Sequence, residues 1–276
     1  MTESLPGLPF GDEPLANFKL RSAPLTNMIV QVRFPRSTEL AADQQTILEI
    51  ARALSEDFPA FSERSEAEFE FGPGGAQMKQ SPRWQFTSFS ETDTVVITPT
   101  SVSLTSNAYT SRDDMIHKLT PVLAATLTHA RPAFIERVGV RYTNRVDDAP
   151  TSEQLRLLFK EPLLAGLSVP TGSVRVAQAI THTVYQVSDE VSLSIRSGLV
   201  PAGLQLDPGH DPAPQDSFLF DLDAFRGQKQ QRVDPALILQ QVSSLAEVVY
   251  RFFLWSLTLE GLEHFGGEQI DDASDI

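Results

Sequence analysis

The chain has 276 residues, 41% of them hydrophobic and 21% charged, with a formal net charge of −14 and no cysteine. That length supports one large core or two small ones, and the missing cysteine excludes disulfides, thiolate metal sites, iron–sulfur clusters and cysteine nucleophiles. The negative field repels phosphate backbones and anionic lipid, so the charge argues against nucleic acid and membrane surfaces as partners.

Residues 1–22 contain Pro and Gly without periodicity and no basic stretch leading into an apolar run, so they read as a flexible arm and not as a secretory signal. No apolar run approaches the ~20 residues needed to cross a bilayer, and the cytoplasm is the expected compartment. From Asn27 the pattern changes: Met28, Val30, Val32 and Phe34 alternate with Ile29, Gln31 and Arg33, the period of a strand with one buried face, stopped by Pro35. Ser37 or Thr38 then caps a helix whose apolar positions are Leu40, Ile47, Leu48, Ala51 and Leu54, closed by Phe58-Pro59. Glu63 to Phe71 alternates weakly and runs into the turn signal Gly72-Pro73-Gly74-Gly75. Trp84 to Phe89, Thr94 to Thr98 and Val102 to Ser106 predict an antiparallel meander.

Thr110 or Ser111 opens a second helix carrying Met115, Ile116, Leu119, Val122, Leu123 and Leu127 on one stripe. Pro121 either kinks it or starts a fresh helix capped by Thr120. Arg137 to Val146 is the clearest strand, with Val138, Val140, Tyr142 and Val146 on one face and Arg137, Gly139, Arg141, Thr143 and Arg145 on the other; Asn144 is the polar residue of the first face. Thr151 and Gln154 have capping-box spacing and predict a short helix over about 152–165. Val174 to Gln186 and Val191 to Arg196 form a predicted hairpin around Ser188-Asp189-Glu190, and Phe218 to Phe225 supplies another strand after the Pro-rich loop Asp207 to Pro214. Asp234-Pro235 starts a last helix with Ile238, Val242, Leu245, Val248, Val249, Phe252 and Phe253, stopped by Gly266-Gly267.

Strands followed by a long amphipathic helix thus occur twice, which predicts an α+β fold: antiparallel sheets each packed on a long helix, two similar halves joining in one continuous sheet. The expected division is an arm over 1–22, a first half over 23–148, a second half over 149–268 and an acidic disordered tail over 269–276.

Four stretches carry a resemblance: Gln31-Val32-Arg33-Phe34, Trp84-Gln85-Phe86-Thr87-Ser88, the helix start from Tyr109 to Asp113, and above all Glu136-Arg137-Val138-Gly139-Val140-Arg141-Tyr142-Thr143-Asn144-Arg145. Over nearly its whole length the chain resembles the TIGR04255 family of prokaryotic proteins. The resemblance implies no assigned activity. The family's sporadic distribution in bacteria and archaea suggests mobile or defence-linked genes.

Arg137, Arg141 and Arg145 share a strand face, about 13 Å from one to the next by the strand rise. With Arg33 they are candidates for an anion or phosphate site, because guanidinium binds phosphate bidentately; the competing reading sets them against Asp221, Asp223 or Glu136 across the sheet. Asp221 and Asp223 project together from an apolar strand, a pair suited to Mg²⁺ or to acid–base work but lacking a third ligand at supporting spacing, so arginine partnership is the favoured use. His117, His129, His182, His210 and His264 show no metal-ligand spacing. No metal and no cofactor is expected. Trp84, Phe86, Tyr109 and Tyr142 read as core or cross-strand packing before they read as a stacking platform. The last helix is apolar beyond one stripe, so it is either wrapped by sheet or shared in a homodimer. These readings favour a non-catalytic accessory or regulatory protein that binds another protein, in a bacterial defence or toxin-related locus; the alternative is a sensor or enzyme for a phosphorylated small molecule or nucleic-acid end held by Arg33, Arg137, Arg141 and Arg145.

Overall fold

The structure is a computed structural model that describes residues 8–10, 16–42, 44–72, 75–147, 150–170, 172–205 and 212–270. The turn at 73–74, the centre of the Pro-rich loop with His210, and residues 271–276 of the expected tail lie outside the described residues. In chain order the elements begin with β1 (Asn17–Leu20), β2 (Leu25–Arg33), α1 (Thr38–Ala42), α2 (Gln44–Leu54), β3 (Ala60–Gly72) and β4 (Gly75–Thr87). They continue with β5 (Asp93–Thr98), β6 (Ser101–Ser106), α3 (Arg112–Ala130), β7 (Ile135–Val146), α4 (Ser152–Leu158), β8 (Ala179–Gln186) and β9 (Val191–Val200). The last are β10 (Ser217–Gln231), α5 (Pro235–Ser256), α6 (Leu259–His264) and β11 (Gly267–Ile270). β1 pairs with β11, and nine strands share a sheet in the order β3-β4-β5-β6-β2-β7-β10-β9-β8. The fold is α+β, with large antiparallel pairings packed against helices.

The chain clusters into two compact units, each built from separated stretches. The first comprises Met1–Asn27, Arg141–Phe225 and Ser244–Ile276, and the second Met28–Val140 and Arg226–Ser243. β2, β7, β10 and α5 each contribute residues to both units.

In the second unit β3, β4, β5 and β6 form the expected meander, and β2 pairs antiparallel with β6. Alternation sends Val95, Ile97, Val102 and Leu104 into the core together with Met28, Val30 and Val32. Each such side chain contributes ~1.5–3 kcal/mol relative to exposure. Trp84 and Phe86 are core residues, whereas Phe89 lies beyond the end of β4 and is 94% exposed. Ser37 caps α1 by accepting the Leu40 N–H at 3.2 Å and donates to the Ala130 carbonyl at 2.6 Å, tying that helix start to the end of α3. On α2, Thr46 and Ile50 are buried beside Ile47 and Leu54 while Leu48 is exposed. α3 starts at the Ser111 cap and runs through Pro121 without a fresh start, because Thr120 donates to the Ile116 carbonyl at 2.7 Å and does not cap. Its end is marked by Arg131 at φ 43°.

In the first unit Thr151 and Gln154 form the capping box of α4. That helix stops at Leu158, short of the expected 165, because Phe159 is extended and Pro162 opens a 3₁₀ turn. Phe159 instead joins an aromatic core with Phe218 and Phe220 at ring separations of 5.0 and 5.7 Å. β8 begins at Ala179, later than the sequence pattern placed it, and pairs antiparallel with β9. Residues 17–20, inside the expected flexible arm, form β1 against β11, and the Tyr250 hydroxyl clamps Phe18 by accepting its N–H at 2.8 Å and donating to its carbonyl at 2.9 Å. Gly261 packs its backbone on Leu158, leaving no room for a Cβ.

Asp234 caps α5 by accepting the Ala236 and Leu237 N–H groups at 3.0 and 3.3 Å. This helix ends at Ser256, ahead of the glycines predicted to stop it; Thr258 then caps α6. Among the described residues α5 alone is long and apolar enough to cross a membrane by length and composition, contrary to the reading that no run is, but half of its apolar window is buried inside the chain. Ile238, Val242, Leu245, Val249, Phe252 and Leu254 are among the buried residues, the mark of a core helix.

Candidate functional site

Strand alternation on β7, β9 and β10 brings four chemistry-bearing side chains of the first unit together. Asp221, on β10 between the core residues Phe220 and Leu222, has a side chain only 4% exposed. Arg141 from β7 meets it bidentately, Nε to Oδ1 at 2.6 Å and Nη2 to Oδ2 at 3.0 Å. Arg196 from β9 donates twice to Oδ2, at 3.0 and 2.9 Å, and the Thr143 hydroxyl donates to Oδ1 at 3.2 Å. A carboxylate accepting this many charge-assisted bonds is fixed in place. Both guanidiniums keep about a quarter of their side chains in water, 22% and 24%, so the burial cost falls mainly on the aspartate. Asn144 is buried on the opposite parity and donates to the Phe220 carbonyl at 3.1 Å. Asp223 is half-buried.

Arg196 is the member that sequence reasoning missed. Its local pattern, Ser192-Leu193-Ser194-Ile195-Arg196, announces an alternating strand but carries no sign that β9 lies next to β10. His182 is its register partner on β8 and bonds Ser194 at 2.9 Å.

Arg145, four residues beyond Arg141, has a different environment. Its backbone N–H donates to the Pro24 carbonyl at 2.7 Å, and its side chain lines a cleft of about 520 Å³ with Asp147, Glu260 and His264 around it. Its Nε is shielded from solvent and has no hydrogen-bond partner among the described residues. The other two sequence candidates belong to the second unit. Arg33 ends β2 opposite Ser101 and is exposed, and Arg137 donates to the Gln31 side-chain oxygen at 3.4 Å while folding over Gly139. The four arginines grouped by sequence spacing therefore have four different surroundings.

The second unit holds its own charge cluster. Lys118 sits 2.8 Å from Asp114 and 3.2 Å from Asp93. Burial works to lower Lys118, but the bond to Asp114 and the field of Asp93 outweigh it and hold the ammonium above its usual value. Burial likewise works to raise Asp114, and hydrogen bonds from Lys118 and Thr110 outweigh it, leaving the carboxyl below the usual range. In the first unit burial lowers Lys160, whose ammonium lies 4.5 Å from the Trp255 ring centroid.

The histidines stay scattered: His117 is exposed, His129 contacts Glu49 at 3.0 Å, and His264 meets Phe265 edge-on. Among the described residues no three His, Asp or Glu side chains gather so as to hold a metal ion. Tyr109 and Tyr142 are half-buried. A scan against protein-family models matches none, and no curated protein matches the chain.

Proposed function

We propose that the chain is a non-catalytic accessory or regulatory protein that acts by binding another protein, and that the partner adds an extended segment to β8. The observation that carries this reading is the character of β8. It ends the nine-strand order, and its last five residues are all exposed. Its sequence, AITHTVYQ, contains no Lys, Glu, Asp or Pro, the residues by which natural sheets block unwanted pairing at an edge. Ile180 and Val184, 37% and 56% exposed, lie on one face and offer apolar contacts beside the backbone donors and acceptors. An uncharged strand on a chain of net charge −14 is approached most readily by a segment flanked by basic residues. The resemblance to a sporadically distributed family directs the search to products of adjacent genes, in a defence or toxin-related locus.

The test is co-expression of the tagged chain with those neighbouring products. The wild type retains one of them, and the pair of surface changes Ile180→Lys and Val184→Lys abolishes retention without altering the circular dichroism spectrum. Retention unaffected by the two lysines contradicts the reading. Light scattering of the isolated chain distinguishes a different protein from a second copy, since the monomer has a mass of 30.4 kDa.

A further inference from the structure

We infer that the cleft at Arg145 is a binding site for a small zwitterion with an apolar side chain, of amino-acid or dipeptide size. The site is separate from β8, no residue of which lines it, and neither proposal depends on the other.

Three observations lead there. First, the Arg145 side chain lines the cleft and makes no hydrogen bond or ion pair with another described residue. Its Nε is shielded from water, so the Nη groups are the donors a ligand in the cleft would meet, and a planar carboxylate matches their geometry. Second, Asp147 and Glu260 line the same cleft, both exposed, and neither pairs with Arg145. A phosphate dianion placed on Arg145 would face two like charges, whereas an ammonium group is matched by them. Among the described residues the lining thus offers the Arg145 guanidinium and the Asp147 and Glu260 carboxylates, which favours a ligand carrying both signs. Third, the rest of the lining includes Val146, Leu157, Leu158 and Phe265, an apolar surface for a side chain, and about 520 Å³ lies within the usual range of small-molecule sites. The backbone fixes this arrangement: the Arg145 N–H is held by Pro24, Gln154 belongs to the capping box of α4, and Glu260 and His264 belong to α6.

The experiment is titration calorimetry with the dipeptide leucyl-phenylalanine against the wild type, Arg145→Gln and Glu260→Gln. N-acetyl-leucyl-phenylalanine and leucyl-phenylalanine amide serve as probes lacking one charge each. The expected result is saturable binding of the dipeptide by the wild type and a loss of about tenfold to a hundredfold for each charge removed. The amide loses nothing more when Arg145 is already Gln, and the acetylated form loses little more when Glu260 is already Gln. Glu260 is exposed, so its variant folds and keeps the test informative even if Arg145→Gln unfolds. No heat of binding at millimolar dipeptide, or equal binding by all three proteins, overturns the site. Tighter binding of phenyl phosphate than of the dipeptide overturns the class of ligand.

Discussion

Arg141 and Arg145 stand four residues apart on the same face of one strand, and they are in opposite situations. Arg141 is locked on a buried aspartate that it shares with Arg196 and Thr143. Arg145 lines a cleft, and its Nε has no hydrogen-bond partner among the described residues. Spacing along a strand decides which face a side chain takes, but the neighbouring strand decides what it meets there, and only Arg141 has β10 delivering a carboxylate. Guanidinium groups that look equivalent in sequence thus divide into one that holds the sheet and one that is available to a ligand.

The largest expected effect comes from removing the shared carboxylate. Asp221→Asn leaves two guanidiniums without a counter-charge, which costs about 3 kcal/mol, the low end for breaking a buried pair, because both cations retain some water. Urea unfolding checks it, and a loss below about 1 kcal/mol would mean the cluster is no more than a surface ion pair.

Lys118 is the inverse case: one cation serves two carboxylates, where Asp221 is one carboxylate serving two cations. The Asp114 carboxyl is held below its usual range, so its contribution is fully present above the ordinary aspartate pKa of about 3.9 and is lost as pH falls through the lower folded value. Lys118 is raised, so its contribution is present below its ordinary pKa and is lost as pH climbs through the higher folded value. Asp114→Asn accordingly has a smaller drop in melting temperature between pH 5 and pH 3 than the wild type, on the order of a degree or two for a partly exposed pair. An unchanged acid slope contradicts the assignment.

The sequence made the local signals readable because they rest on contacts a few residues apart. The capping box at Thr151 and Gln154, the Ser111 and Asp234 caps, and the alternation of β2, β5, β6 and β7 all follow from such contacts. What it did not reveal depends on distant partners. β1 has four residues and little pattern of its own, and it exists because β11 and Tyr250 supply its hydrogen bonds from the other end of the chain. Leu48 fits the apolar stripe of α2 by spacing, yet Thr46 and Ile50 occupy the covered positions. The expected partnership of Asp221 with an arginine could be written down, but Arg196 could not, since nothing on β9 names its neighbour. The cleft is less readable still, being assembled from the loop before β2, the end of β7, α4 and α6.

Urea unfolding of Arg141→Gln and Arg145→Gln side by side separates the arginine that holds the sheet from the one that does not. Arg141→Gln is expected to lose about 1.5–3 kcal/mol, the value of charge-assisted bonds to a buried group, while Arg145→Gln stays within about 0.5 kcal/mol of the wild type. Equal losses in the two variants, or a larger loss at Arg145, would contradict that division.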